Sequence, residues 1–257
     1  DIVPCIRNVV PARYLASRFA AAHGTTLLSA TLHPRQFHAD MLGLPSDAIA
    51  IDVDSPYSAA QLTVRVAAAV STRFRDRGRS LRPIVDRIAA QYRARPGNYL
   101  AFFGSYVHLD AAAALFAACH PDIALRSQQR GMSEREQADF LAAITPRRHS
   151  IGFVVLGGAF AEGIDLPGAR LIGAFIATLG LPRPDPVNEA MRVRIDARFG
   201  TGFDYTYLFP ALQRVVQAAG RVIRSDRDRG VVHLLDDRFL RPAVRRLLPD
   251  WWHVERG

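Results

Sequence analysis

Gln217, Arg221 and Arg224 follow one another at spacings of four and three within VVQAAGRVIRSDRDRG (215–230). On an α-helix that spacing puts all three on one face. Two guanidinium groups and an amide so arranged could hold an anion, phosphate above all, because the guanidinium fork matches phosphate oxygens two at a time. The same residues beside Gly220 could equally form a solvated surface. Arg227 and Arg229 lie past the expected helix end and read as solvated.

Three further stretches could do chemistry. In GGAFAEGIDLPG (157–168), Gly158 and Gly163 would let the backbone approach a ligand, while Glu162 and Asp165 could accept from a ribose hydroxyl or hold a neighbouring arginine. A turn in which Asp165 caps its own backbone would use the same residues. In NYLAFFGSYVHLD (98–110), Ser105 and Tyr106 suit phosphate contact and packing against a base or sugar, or else a helix N-cap and a core-edge tyrosine. In SATL (29–32), Ser29 and Thr31 could sense a ligand or simply satisfy backbone groups.

Composition narrows the chemistry. The 257 residues carry a net charge of +9, and every basic residue other than histidine is arginine. With no lysine in the chain, a G-x-x-x-x-G-K-[ST] phosphate loop is excluded. Arginine excess favours partners bearing phosphate, although coding bias also replaces lysine by arginine. Two cysteines, Cys5 and Cys119, are too few for an iron–sulfur cluster or a cysteine zinc site, and the eight histidines show no ligand spacing. No metal site is expected from this chain's own residues. No apolar run is long enough for a membrane span, so a cytoplasmic protein without membrane contact is expected. The chain begins at Asp1, as a segment of a longer protein would.

The elements that must position these residues alternate. Apolar runs at 25–32, 61–66, 98–106, 122–127, 151–160, 171–181 and 230–237 read as strands, and helical patterns lie at about 81–95, 108–119, 133–145, 186–198 and 208–224. Strands apolar throughout imply a mainly parallel sheet covered by helices on both faces, an α/β three-layer sandwich. Ligands on such sheets bind at the carboxyl ends of the strands. Five arginines between 73 and 82 fall at alternate spacing rather than on one helix face, which favours a solvated loop or a helix start over a phosphate track. LRPAVRRLLPDWW (240–252) reads as a docking helix with an aromatic plug.

In order, SATLHP, FFGSY, GGAFAEGIDLPG and QAAGRVIRSDRDRGVVHLLDDRF resemble motifs III, IV, V and VI of superfamily 2 helicases. More narrowly they resemble the DinG/XPD branch of 5′→3′ DNA helicases, from about residue 10 to the end. The resemblance implies a RecA-like (P-loop NTPase-type) fold. It also implies residues 1–45 as the last segment of a first helicase domain and 46–257 as the second. ATP with magnesium would be shared with an N-terminal RecA-like domain. Arg221 and Arg224 would be the finger arginines, with Gln217 positioning phosphate or water. Gly163, Asp165, Glu162 and Gly220 would line the nucleotide. Ser105, Tyr106 and Gly158 would lie near single-stranded DNA, and Ser29 and Thr31 would couple nucleotide state to domain closure.

The family's phosphate loop, D-E-A-H box, iron–sulfur cysteines and arch insertion precede motif III, and this sequence holds none of them. The chain alone is therefore expected to hydrolyse little or no ATP. Two rivals remain: a non-catalytic RecA-like module that binds single-stranded nucleic acid, and a doubly wound dehydrogenase-type enzyme. The second would need G-x-G-x-x-G after its first strand, and that triplet does not occur.

Overall fold

The computed structural model describes residues 6–158, 160 and 165–257. The chain packs as two compact units, Asp1–Asp54 with Pro182–Ala211, and Ser55–Leu181 with Leu212–Gly257.

In the second unit, seven strands among the described residues form one sheet: β1 (Leu62–Val66), β2 (Tyr99–Phe103), β3 (Leu125–Ser127), β4 (Ile151–Val155), β5 (Gly173–Ala177), β6 (Gly230–Leu234) and β7 (Val254–Arg256). Their order is β3-β4-β2-β5-β6-β1-β7, and every pairing is parallel. All five residues of β2, β5 and β6 are buried, as continuous apolar runs require of strands covered on both faces. β1 alternates buried and exposed residues, one strand in from the β7 edge.

The crossovers are helical: α3 (Arg77–Ala94), α4 (Tyr106–Cys119) and α5 (Glu134–Ala142). Local chemistry starts them. Ser105 N-caps α4 by accepting from the N–H of His108, and Ser133 with Glu136 forms a reciprocal capping box on α5. Phe153 packs ring to ring against Phe103 of β2 and Phe116 of α4. Gly230 permits close approach at the start of β6. A Cβ there would stand 2.1 Å from Val222 Cγ1 and 3.1 Å from the Ile172 carbonyl.

In the first unit lie α1 (Ala12–Ala21), α2 (Arg35–Leu42) and α6 (Pro186–Phe199). Asp185 caps α6, and Pro186 takes its first position. Phe37, Tyr205 and Phe209 form an aromatic cluster with centroids 5.0–5.6 Å apart, Phe37 lying edge-on to the other two. The Tyr205 hydroxyl donates to Asp40 at 2.5 Å. A π-helical turn, Asp204–Leu208, leads into α7 (Phe209–Ala219).

Three sequence expectations change. Residues 25–32 are not a strand; Leu27 and Leu28 are 40% and 87% exposed, and no described strand pairs with them. An isolated extended segment has no ladder to join, whatever its propensity. The helix expected over 208–224 ends at Ala219, so Arg221 and Arg224 do not share a helix face with Gln217. The C-terminal tail contains only a four-residue helix, α8 (Pro242–Arg245), before the buried Trp252, and then adds the unexpected β7.

Candidate functional site

α7 ends by tightening. Gly220 N–H still bonds to the carbonyl four residues back, but Arg221 and Val222 bond to carbonyls three back. Val222 and Ile223, consecutive in sequence, are both buried against the start of β6. Two adjacent inward side chains do not fit a helix's 100° turn per residue, and this breaks the expected four-and-three face. Gln217 is half-buried on the last turn of α7, Arg221 is half-buried in the turn that follows, and Arg224 lies beyond both.

Arg224 is fixed by its main chain. Its N–H donates to Asp228 Oδ2 at 2.7 Å, as does the N–H of Ser225 at 2.8 Å. The Tyr57 hydroxyl donates to the Arg224 carbonyl at 3.2 Å. Gln61, buried at the foot of β1, donates through Nε2 to the carbonyls of Ser225, Asp226 and Asp228 at 3.0, 3.2 and 3.2 Å. Arg229, expected to be merely solvated, donates to the carbonyls of Asp226 and Asp228. These bonds hold the backbone of 224–229 while leaving a third of the Arg224 side chain open to solvent.

That side chain meets the second predicted stretch. Arg224 Nε stands 3.5 Å from Asp165 Oδ1, and Asp165 is 73% exposed. Gly168, three residues on, has φ +61° and faces Asp228, 4.0 Å from where a Cβ would sit. The two loops are thus joined at the amino ends of β5 and β6. Glu162 and Gly163 lie outside the described residues. Gly220 is exposed at the end of α7.

A separate group gathers at the carboxyl ends of β2 and β4. Gln128 ties it together, donating to the Tyr106 hydroxyl at 2.9 Å and accepting from Val155 N–H at 2.8 Å. Gly158 lies against the same amide, and the Arg130 guanidinium sits 4.8 Å over the Tyr106 ring. Gly157, at φ +81°, has the Arg214 side chain about 3 Å from where a Cβ would project. Ser105 is spent on the N-cap of α4, with its backbone extended. Within α4, His108 is buried, and burial together with the nearby Arg77 charge pushes its pKa down to about 4.

Ser29 and Thr31 belong to the first unit. Their hydroxyls stand 3.2 Å apart, and Ser29 Oγ accepts the Thr31 N–H. Sequence reasoning missed Gln61, Tyr57, Asp228 and Gln128. Asp228 carried a signal, an acid four residues after an arginine in a turn-rich run, whereas Gln61 acts across 164 residues or more and carried none.

The comparisons with known proteins give the family and the fold. Residues 88–255 match the family model described as helicase C-terminal domain. Among curated relatives, the ATP-dependent DNA helicase chl-1 of Caenorhabditis elegans is 33% identical over 115 residues, 44% of this chain and 14% of the relative. The ATP-dependent helicase DinG of Mycobacterium tuberculosis is 35% identical over 98 residues, 36% of this chain and 15% of the relative. The chain thus aligns with about one seventh of the length of these relatives. A solved XPD helicase superposes with a TM-score of 0.75 at 20% identity, over 97% of this chain and 46% of its own, and shares the RecA-like α/β fold. The chain belongs to the helicase C-terminal domain family, in its DinG/XPD branch.

Proposed function

We propose that this chain is the second motor half of an ATP-dependent 5′→3′ DNA helicase, offering Arg224 and Arg221 to a triphosphate held mainly by an N-terminal RecA-like domain. Residues 1–45 would complete that first domain. The observation that carries the reading is Arg224 itself: its N–H and carbonyl are both anchored, yet its guanidinium remains partly open beside Asp165. A side chain presented from a fixed backbone suits electrostatic stabilisation, which depends on donors already in place when charge develops.

In this reading Asp165 orients Arg224 and lies toward the ribose, together with Glu162, Gly163 and Gly220. Gln217 positions the terminal phosphate or the attacking water. ATP bound with magnesium would supply the phosphoryl group and its leaving diphosphate; this chain's own part is to place guanidinium donors against the oxygens. Ser105, Tyr106 and Gly158 would track single-stranded DNA at the opposite strand ends. Ser29 and Thr31 would link nucleotide state to domain closure, and the exposed Leu27 and Leu28 beside them are consistent with a sheet supplied by another domain.

The test is Arg224→Ala in the longer protein. DNA-stimulated ATPase should fall about a thousand-fold, with nucleotide binding largely kept. ATPase within three-fold of wild type would overturn the assignment. Single-stranded DNA binding that ATP leaves unchanged in the unmutated protein would favour the non-catalytic module.

A further inference from the structure

The arginine-rich segment 71–83 remains without a role, and the structure divides it sharply. Arg73 makes a two-pronged ion pair with Asp237, at 2.6 and 2.9 Å, and also donates to Ser71. Arg79 pairs with Asp76, and Arg82 pairs with Asp86. Beneath them, fully buried Asp236 accepts from Thr72 N–H at 2.9 Å, from the Thr72 hydroxyl and from the Arg238 guanidinium. Arg77 Nε donates to the Thr72 carbonyl at 3.1 Å. The segment is held from below and opens α3 at Arg77, the helix start that is one of the two readings its arginine spacing suggests.

What this scaffold holds outward is a ring. Phe74, at the head of a short 3-10 turn, is 79% exposed, although a phenylalanine ordinarily goes to the core. The Arg77 guanidinium lies 5.9 Å from its centroid. Arg77 also reaches the carboxyl end of β2: its Nη2 is 3.9 Å from where a Gly104 Cβ would sit. Ser105 and Tyr106 follow directly, and Val107 is 67% exposed. Phe74 thus stands beside the Ser105–Tyr106 face, within a segment carrying five arginines against one acid.

We propose that Phe74, backed by Arg77, is a stacking step for one base of single-stranded DNA that passes the carboxyl ends of β1 and β2. An exposed ring among guanidinium groups fits an unpaired nucleotide, whose base offers a π-face and whose phosphate offers charge. Duplex DNA hides its base faces, so an exposed ring suits an unpaired nucleotide better than a duplex. The proposal rests on the nucleic-acid reading of the Ser105–Tyr106 face and adds residues from another part of the chain.

The experiment measures binding by the longer protein to oligo(dT) and to an abasic oligonucleotide of equal length, at fixed salt. Wild type, Phe74→Ala, Phe74→Trp and Tyr106→Ala are compared, with melting temperature confirming that each variant is folded. Phe74→Ala should weaken oligo(dT) binding about ten-fold, leave abasic binding within two-fold, and be rescued by Phe74→Trp. Equal weakening on both oligonucleotides would overturn stacking in favour of a backbone or packing effect. If Tyr106→Ala weakens oligo(dT) binding and Phe74→Ala does not, the Phe74 inference falls and the face stands. If neither variant changes binding, the nucleic-acid reading of the face falls as well.

Discussion

Asp228 holds Arg224 by the backbone: one carboxylate oxygen accepts the arginine's N–H at 2.7 Å, with the next N–H sharing the same oxygen. Removing a nearly buried acceptor strands both donors. Asp228→Ala should therefore cost about 2–3 kcal/mol in urea unfolding, and Asp228→Asn, which keeps an acceptor oxygen, markedly less. A variant as stable as wild type would show that the loop finds other partners.

Gln61 presents the reverse polarity. Its Nε2 faces three carbonyls, while its Oε1 accepts from Ser58 N–H at 3.0 Å. Gln61→Glu sets a carboxylate oxygen against those carbonyls, so it should destabilise more than Gln61→Ala, by roughly 2–4 kcal/mol against about 1–2. Chemical denaturation of the two variants at neutral pH checks the order. An alanine variant less stable than the glutamate would refute the polarity.

Asp165 makes a contrasting prediction. An exposed pair at 3.5 Å contributes about 0–1 kcal/mol. Asp165→Asn should leave the unfolding midpoint almost unmoved while changing the apparent ATP affinity of the longer protein. A large stability loss without any change in nucleotide affinity would assign the residue to packing.

Acid should weaken the second unit in a defined window. Burial, with Arg77 near His108 and Arg87 and Arg65 near His233, pushes both imidazoles down to about 4. In the unfolded chain they take up protons near their ordinary 6.5. Above pH 6.5 their contribution to stability is complete. From 6.5 toward 4 the unfolded chain binds more protons than the folded one, so stability falls as pH falls. Each imidazole can account for about 3 kcal/mol over that span. His108→Phe, which places another ring beside Phe103, should remove about half of the slope in denaturation midpoint against pH.

How much the sequence disclosed depends on range. β2, β5 and β6 are legible because burial on both faces writes itself as an unbroken apolar run, and α4, α5 and α6 because their caps stand at the right offset. Leu27 and Leu28 were misread because propensity does not report whether a neighbouring strand exists. The reach from Arg224 to Asp165 was legible only as an option, an acid able to hold a nearby arginine. The end of α7 was misread because Val222 and Ile223 obey the start of β6, set by residues 172 and 230, rather than their own helix. Gln61 was invisible for the same reason: its partners lie 164 to 167 residues away.

All seven strands run the same way, so the Arg224–Asp165 loops and the Tyr106–Gly158 group occupy opposite rims of one sheet. A five-residue strand is about 17 Å long and scarcely stretches under load. The separation of the two rims is therefore set by strand length. The spacing of the two groups is thereby fixed once the strands are laid down.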